Sequence, residues 1–361
     1  MANKAILKVL FACAILSPLT ALAQYVSSGL IYPDGIEPGD PSVCEAPAGK
    51  TCYWVDCDAG ADGVGTYASP FWGFETVFGY YDSGASYIQG SAVGGDIVYV
   101  KGTCEVTGSK DDATGPYKQV RIGRAAQMGT SSAPTIIKSY KGTAQAVFDG
   151  EYLKVLTPQV RAENSPETLI RVEQSATGNS YLKVQNIKFY RYHTNGIDVK
   201  YNTEGVTIQS VTCEEGRVDP TGTSGCFARQ YNTAIVYADD FSYNYFLNND
   251  NICDTYVGDT DTGSGCNLGT NDGTISLTTE ASASNGSTVN IHHNRDVSSA
   301  KFIHEKHNGN VTVNVYQNYS SDTDTFIHLR AKQTNIYNNV ITGTSTYVLE
   351  PDPENETLNV S

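Results

Sequence analysis

The sequence predicts an all-β protein, a right-handed, single-stranded parallel β-helix with disulfide-closed loop insertions. Three observations predict it: short apolar-alternating segments recur, a second short strand follows most of them, and long helical patterns are lacking. A coil of two or three short strands cannot bury its inward side chains alone, so such coils stack into a continuous core.

The first strand of each predicted coil is often closed by Asn, which tolerates left-handed backbone conformations. The starts of these segments differ by 24, 35, 48, 22 and 23 residues, and the two long gaps contain cysteine-closed loops. The segments are LKVQNIKF from Leu182, VTIQSVTC from Val206, FSYNYFLNN from Phe241, VNIHHNRD from Val289, VTVNVYQN from Val311 and TNIYNNVI from Thr334.

The second strands align on shared isoleucines, which period-two alternation places inside the coil. They are GIDVKYN (196–202), AIVYADD (234–240), TISLTTE (274–280), FIHEKHN (302–308) and FIHLRAK (326–332), with Ile197, Ile235, Ile275, Ile303 and Ile327 in one column. The residues between the inward positions are predicted to form a solvent-facing wall. Its columns read Asp198, Val236, Ser276, His304, His328, then Lys200, Ala238, Thr278, Lys306, Arg330, then Asn202, Asp240, Glu280, Asn308, Lys332.

Residues 1–23 read as a signal peptide, with Lys4 and Lys8 before an apolar run that ends in Ala21-Leu22-Ala23. We therefore expect a secreted protein, extracellular or periplasmic, in which residues 24–361 form one β-helix domain. Its N-terminal capping segment is predicted at about 24–95.

Eight cysteines remain after the signal peptide, an even number that favours disulfides in an exported chain. Cys213 with Cys226, and Cys253 with Cys266, are each predicted to close a loop of twelve residues. The other four are expected to pair among themselves in a pattern that the sequence leaves open: Cys44, Cys52, Cys57 and Cys104.

The net charge is −15, and it becomes −17 once Lys4 and Lys8 leave with the signal peptide. This acidity argues against nucleic acid or a membrane surface as a partner. We expect a monomer. If the substrate is an acidic polysaccharide, a local basic patch must overcome the overall field.

Lys306 and Arg330 would lie side by side on neighbouring rungs, and like charges there call for an anionic partner. Five of the six histidines fall between His292 and His328. In β-elimination from a uronate, positive groups neutralise the carboxylate and a base removes the adjacent proton. A neighbouring guanidinium favours the neutral, basic form of a lysine. The competing interpretation is ordinary surface decoration, since exposed strands commonly carry Lys and Arg.

KHNGNVTVNVYQN, running into HLRAKQTNIYNNVI, resembles the active-site rungs of polysaccharide lyase family 6, which includes alginate lyases and chondroitinase B. The segments 52–77 and 94–103 resemble the opening of secreted β-helix polysaccharide lyases. The resemblance implies Lys306 as catalytic base and Arg330 as proton donor. The family's calcium-binding glutamates are replaced here by Ser299 and Lys301, and its His-Gly pair by Ala331 and Lys332.

The sequence thus predicts a lyase acting on an anionic polysaccharide such as alginate. Its substrate-binding residues would be His304, His328, His307, Lys301, Lys200 and Lys332, and Glu280 and Asp240 are candidate ligands for a Ca²⁺ cofactor. Two alternatives stay open: a β-helix glycoside hydrolase that uses Asp240 and Glu280 as a carboxylate pair, and a non-catalytic glycan-binding or adhesive solenoid.

Overall fold

The structure is a computed structural model of the 361-residue chain. It describes residues 36–81, 87–105, 120–123, 125–150, 168–172, 180–192, 195–200, 203–214, 216, 225–231, 236–247, 274–279, 286–299, 301–306, 311–329, 333–343, 346–351 and 357–360. The predicted signal peptide lies outside these residues. Within the ranges given, no helix has the length and apolar character needed to cross a membrane.

Three long parallel sheets wind around one core, and each complete coil contributes one strand to each sheet. The first sheet has ten strands: β1 (Cys52–Asp56), β4 (Ile97–Lys101), β7 (Thr135–Ser139), β10 (Tyr181–Gln185), β13 (Gly205–Gln209), β16 (Ala238–Ser242), β19 (Ser287–His292), β22 (Val311–Tyr316), β25 (Gln333–Tyr337) and β28 (Thr357–Val360).

The second sheet has eight strands: β5 (Thr103–Glu105), β8 (Ala146–Asp149), β11 (Ile187–Tyr190), β14 (Thr212–Glu214), β17 (Tyr245–Leu247), β20 (Arg295–Val297), β23 (Tyr319–Ser321) and β26 (Val340–Thr342). The third sheet also has eight: β6 (Val120–Ile122), β9 (Thr168–Val172), β12 (Asn195–Val199), β15 (Gly225–Tyr231), β18 (Ile275–Thr279), β21 (Lys301–Lys306), β24 (Thr325–Leu329) and β27 (Tyr347–Pro351). A hairpin of β2 (Gly79–Tyr81) and β3 (Tyr87–Gln89) and a short 3₁₀ turn at Ala125–Gln127 complete the described elements. The predicted parallel β-helix is confirmed.

The inward column of the third sheet confirms four of the five aligned isoleucines. Ile197 aligns through Phe227 with Ile275, Ile303 and Ile327. The placement of the segment 234–240 on this sheet is wrong, because β16 belongs to the first sheet and β15 takes that rung. Because β15 contains Cys226, its sequence resembles the end of a disulfide-closed loop rather than a strand.

The first-sheet segments that begin at Phe241 and Val311 start two residues out of register with their neighbours: Phe241 pairs with Ile208, and Val289 pairs with Val313. An offset of two residues keeps each side chain on the same face of the sheet.

A one- or two-residue turn joins most first-sheet strands to the second sheet, and its first residue is left-handed. That residue has a φ of 54° at Asn186, 59° at Tyr243 and 55° at His293. From β16 onwards, an asparagine directly follows the left-handed residue of each turn, and these asparagines form a ladder inside the protein. The side-chain amide of Asn244 donates to Oδ1 of Asn294, that of Asn294 to Oδ1 of Asn318, and that of Asn318 to Oδ1 of Asn339. Each bond is 3.0 Å long. The ladder satisfies buried backbone groups at the corner of every coil that it joins.

The predicted N-terminal disulfide pairing resolves into Cys44–Cys52 and Cys57–Cys104. The bond between Cys213 and Cys226 is confirmed. Cys253 and Cys266 lie outside the described residues. The three disulfides are compatible with an extracellular protein.

The interior of the second sheet changes character along the helix. Its inward column begins with Cys104, Phe148, Phe189, Cys213 and Phe246 and then continues with Asp296 and Ser320. Asp296 is fully buried and accepts hydrogen bonds from the hydroxyls of Ser299, Ser320 and Thr323. Burial raises its pKa to about 6, although these hydroxyls act in the opposite direction.

We expect Asp296→Asn to stabilise the protein at pH 7.5 by up to about 3 kcal/mol and to change little at pH 4. The folded pKa of about 6 exceeds the reference of 3.8, so the folded protein holds this proton more tightly than the unfolded chain. The associated stability is present below about pH 4 and is lost as pH rises through about 6. Urea unfolding of both proteins at the two pH values measures the difference, and Asp322→Asn, an exposed carboxylate on the next rung, is the control. A variant difference that does not depend on pH would contradict this account.

Candidate functional site

The outward residues of the third sheet, here called the third-sheet face, form a column of charged and polar side chains that one alanine interrupts. Since the inward neighbours in these strands belong to the core, these residues point away from it. In register the column reads Arg121, Arg171, Asp198, Ala228, Ser276, His304, His328 and Glu350.

His304 and His328 lie on neighbouring rungs, as predicted, and their rings stack with centroids 4.6 Å apart and planes inclined by 19°. His304 is only 1% exposed, so its predicted solvent exposure is wrong. Arg121, Asp198 and Ser276 are also buried although they point outward. Other parts of the chain therefore cover much of this face, and the face is not an open wall.

Lys301 and Glu350 complete a charged cluster around His328. The Nζ of Lys301 lies 3.4 Å from Nδ1 of His328 and 3.3 Å from Oε2 of Glu350. Oε2 of Glu350 lies 3.7 Å from the same Nδ1 of His328. Lys301 lies one rung before His328 and two rungs before Glu350, so a cation and a carboxylate both reach the exposed side of the histidine stack.

Lys306 is the last residue of β21, and its Cα lies opposite that of Thr278. It follows His304 by two residues, and Arg330 follows His328 by two residues in the next rung. The side chain of Lys306 lies outside what the structure describes, as do Arg330, His307, Lys332 and Glu280. Their roles remain predictions.

Lys200 lies on the same face, three rungs before Lys306. Its Nζ forms an ion pair of 2.8 Å with Oδ2 of Asp198, whose side chain is 5% exposed. Lys200 therefore belongs to the predicted face, and a carboxylate holds its ammonium group there.

Asp240 does not lie on the third-sheet face, and this part of the prediction is wrong. It belongs to β16 on the outer face of the first sheet, where Nε2 of His292 lies 2.9 Å from Oδ2 and Ser242 Oγ donates to Oδ1 over 2.6 Å. Burial raises its pKa, but the hydrogen bonds from His292 and Ser242 outweigh burial and lower it. Asp240 therefore cannot share a site with third-sheet residues such as His304.

Two arginines of the face were missed. Arg121 and Arg171 are directly opposite one another on β6 and β9, and Arg171 is opposite Asp198. The signal was available in the sequence, because TLIRV repeats the Ile-then-charge pattern of GIDV. Glu305 was also passed over: it is fully buried between His304 and Lys306, on the inward side, and accepts a hydrogen bond from Thr334 over 3.3 Å.

The residues present do not fit a calcium ion at the position that the lyase family uses. Ser299 is buried and bonded to Thr274 and Asp296, and Lys301 brings a positive charge. In the ranges that the structure describes, no group of three His, Cys, Asp or Glu residues could hold a metal ion.

No protein-family model matches the chain, and no curated protein matches it. Among solved structures, the chain is similar to one described as a rhamnogalacturonan lyase. That alignment covers 87% of each chain, with 10% sequence identity and a TM-score of 0.43.

Proposed function

We propose that this protein is a secreted polysaccharide lyase that cleaves a uronate-containing polysaccharide by β-elimination. Lys306 acts as the base, and Arg330 donates the proton to the leaving group or clamps the carboxylate. His328 and Lys301 bind or neutralise the uronate, and His304, buried behind the ring of His328, positions that ring. This proposal requires no metal ion.

The observation that carries the proposal is the stacking of His304 on His328 across neighbouring rungs. In this register, the Cα of His304 lies opposite that of His328. Lys306 follows His304 by two residues, and Arg330 follows His328 by two residues. The cations Lys301 and Arg171 belong to the same face of a chain whose net charge is −15. Among the described residues, this face holds four cations (Arg121, Arg171, Lys200 and Lys301) against two carboxylates (Asp198 and Glu350). This excess of positive charge favours an anionic ligand here.

The chemistry proceeds through a carbanion next to the uronate carboxylate. The neutral amine of Lys306 takes the proton on that carbon, and positive groups stabilise the charge that develops on the carboxylate oxygens. The electron pair then forms a carbon–carbon double bond while the glycosidic oxygen leaves. Arg330 supplies or shares the proton which that oxygen requires. The products are a new reducing end and an unsaturated sugar.

Burial of the histidine pair supports this chemistry, because electrostatic interactions strengthen where water is excluded. His304 is buried and His328 is half-buried, so the stack runs from a covered region towards solvent. A uronate bound against His328 would take the place of the Glu350 carboxylate beside Lys301, whose Nζ lies 3.4 Å from Nδ1 of that ring.

The test is a panel of alginate, pectate, chondroitin and hyaluronan, assayed for the ultraviolet absorbance of the unsaturated product. We expect that absorbance to rise with at least one of them. New reducing ends without the absorbance would indicate a hydrolase. Binding without cleavage would indicate the adhesive solenoid. Either result would overturn the lyase assignment.

A further inference from the structure

The outer face of the first sheet over β19, β22, β25 and β28, here called the ladder face, differs from the third-sheet face in having no formal charge. The four strands read STVNIH, VTVNVY, QTNIY and TLNV, without any Asp, Glu, Lys or Arg. Solvent-facing surfaces usually carry about a quarter or more charged residues. The ladder face is instead polar, neutral and regular in a strongly acidic chain.

An amide column runs along the ladder face in register. Asn314 donates to Asn290 over 3.0 Å, Asn335 to Asn314 over 2.8 Å and Asn359 to Asn335 over 2.9 Å. Each of the three donors retains one further N–H, and each carbonyl retains acceptor capacity. The ladder therefore fixes a row of donor–acceptor pairs at the rung spacing of about 4.8 Å.

An aromatic column runs beside the amides. The ring of His292 stacks on Tyr316 with centroids 4.7 Å apart, and Tyr316 stacks on Tyr337 with centroids 5.0 Å apart and planes inclined by 1°. The stacked rings turn their edges outward. Burial raises the pKa of Tyr316, so its hydroxyl stays a neutral hydrogen-bonding group.

Asp240 and His293 form the upper end of this face. Nε2 of His292 lies 2.9 Å from Oδ2 of Asp240, and its Nδ1 lies 2.7 Å from Nδ1 of His293. The ring of His293 packs on the ring of Tyr243, with centroids 4.7 Å apart. Burial and the neighbouring His292 lower the pKa of His293, which favours the neutral ring.

We propose that the ladder face is a second, non-catalytic binding surface for a neutral, hydroxyl-rich glycan chain. An extended glycan repeats its hydroxyl groups at a spacing comparable to the rungs, and amides, tyrosine hydroxyls, a carboxylate and a neutral imidazole all bond such groups. Among the described residues, the formal charge at its edge is the carboxylate of Asp240, which disfavours uronates, and Lys183 lies two rungs further along the outer face of the first sheet. The ladder face therefore selects a neutral ligand, whereas an anionic ligand is proposed for the third-sheet face. The proposal for the ladder face does not depend on the lyase activity.

Affinity electrophoresis of the full protein tests the proposal, with hydroxyethylcellulose and a galactomannan as neutral probes and polygalacturonate as the anionic probe. We expect at least one of the neutral glycans to slow the migration of the wild-type protein through the gel. Thr312→Lys puts a charge on the ladder face without removing a ladder bond, and should weaken that retardation at least ~10-fold. Val340→Lys adds the same charge to exposed β26 and should change it less than ~2-fold.

Tyr316→Ala, which interrupts the ring stack, is the second variant and should also weaken retardation by the neutral probes. Melting temperatures establish that each variant is folded. No retardation of the wild type by either neutral glycan overturns the proposal. So does a Thr312→Lys variant that binds like the wild type, or one whose main effect is to dissociate a dimer, since the face would then join two copies of this chain.

Discussion

Lys306→Ala is expected to lower kcat on the cleaved polysaccharide by about 10²–10⁴-fold, with a much smaller effect on KM. Loss of a positioned base removes a contribution of that size from the transition state. The backbone of Lys306 ends β21 on the rung next to β24, where Arg330 follows. The measurement is the initial rate of unsaturated product formation over a range of substrate concentrations.

Lys188→Ala is the matched control, because Lys188 is a partly exposed lysine of the second sheet that pairs with Glu214. It should keep activity within ~2-fold, as expected for an exposed ion pair. A small primary amine added to the Lys306→Ala protein should restore part of the rate, which a purely structural role would not predict. Full activity of Lys306→Ala on every polysaccharide that the wild type cleaves would remove Lys306 from the mechanism.

Asp239→Asn is expected to lower the free energy of unfolding by about 3–5 kcal/mol, because it leaves a buried guanidinium without its counter-charge. Oδ2 of Asp239 accepts from Nε of Arg229 over 2.8 Å and from the hydroxyl of Tyr231 over 2.9 Å. The Arg229 and Asp239 side chains are 1% and 0% exposed. Burial acts to lower the pKa of Arg229, but Asp239, Tyr231 and Tyr237 together outweigh burial and raise it, so Arg229 stays a cation.

The next residue in the sequence provides the control for this experiment. Asp240 points to the opposite side of β16 and forms a partly exposed pair with His292, so Asp240→Asn should cost no more than about 1 kcal/mol. The double variant Arg229→Met/Asp239→Leu should be more stable than Asp239→Asn, since it removes both buried charges. Denaturant unfolding measures all three. If Asp239→Asn and Asp240→Asn lowered the free energy of unfolding equally, the buried pair would contribute no more to stability than the partly exposed one.

The fold could be predicted because its signal is periodic. Ile197, Ile275, Ile303 and Ile327 repeat in equivalent strands, and each must point inward wherever it occurs. The errors fell where the period is interrupted by insertions. The strand at Gly225–Tyr231 was hidden by its disulfide and by Arg229, a charged residue at an inward position. Alternation cannot anticipate an arginine whose partner, Asp239, comes from another sheet.

The candidate site could be predicted in part. The stacking of His304 and His328 followed from strand register alone, and so did the membership of Lys200 in this face. Burial of His304 could not be foreseen, because it depends on chain that packs over the outside of the sheet. The bond between Asp240 and His292 joins residues 52 positions apart on a different sheet. A pattern within one strand carries no information about such a contact.

The left-handed turn between the first and second sheets has a consequence for how such a chain can change. From β10 onwards it spans only one or two residues, as at Asn186 or at Tyr243–Asn244, so no insertion is accommodated there. From β10 onwards, the connections longer than two residues adjoin the third sheet instead, such as the one between Leu247 and Ile275. Tolerance for added length is therefore confined to the borders of the face that holds His304 and His328. New specificities could be built there from inserted segments while the asparagine corner keeps the coils in step.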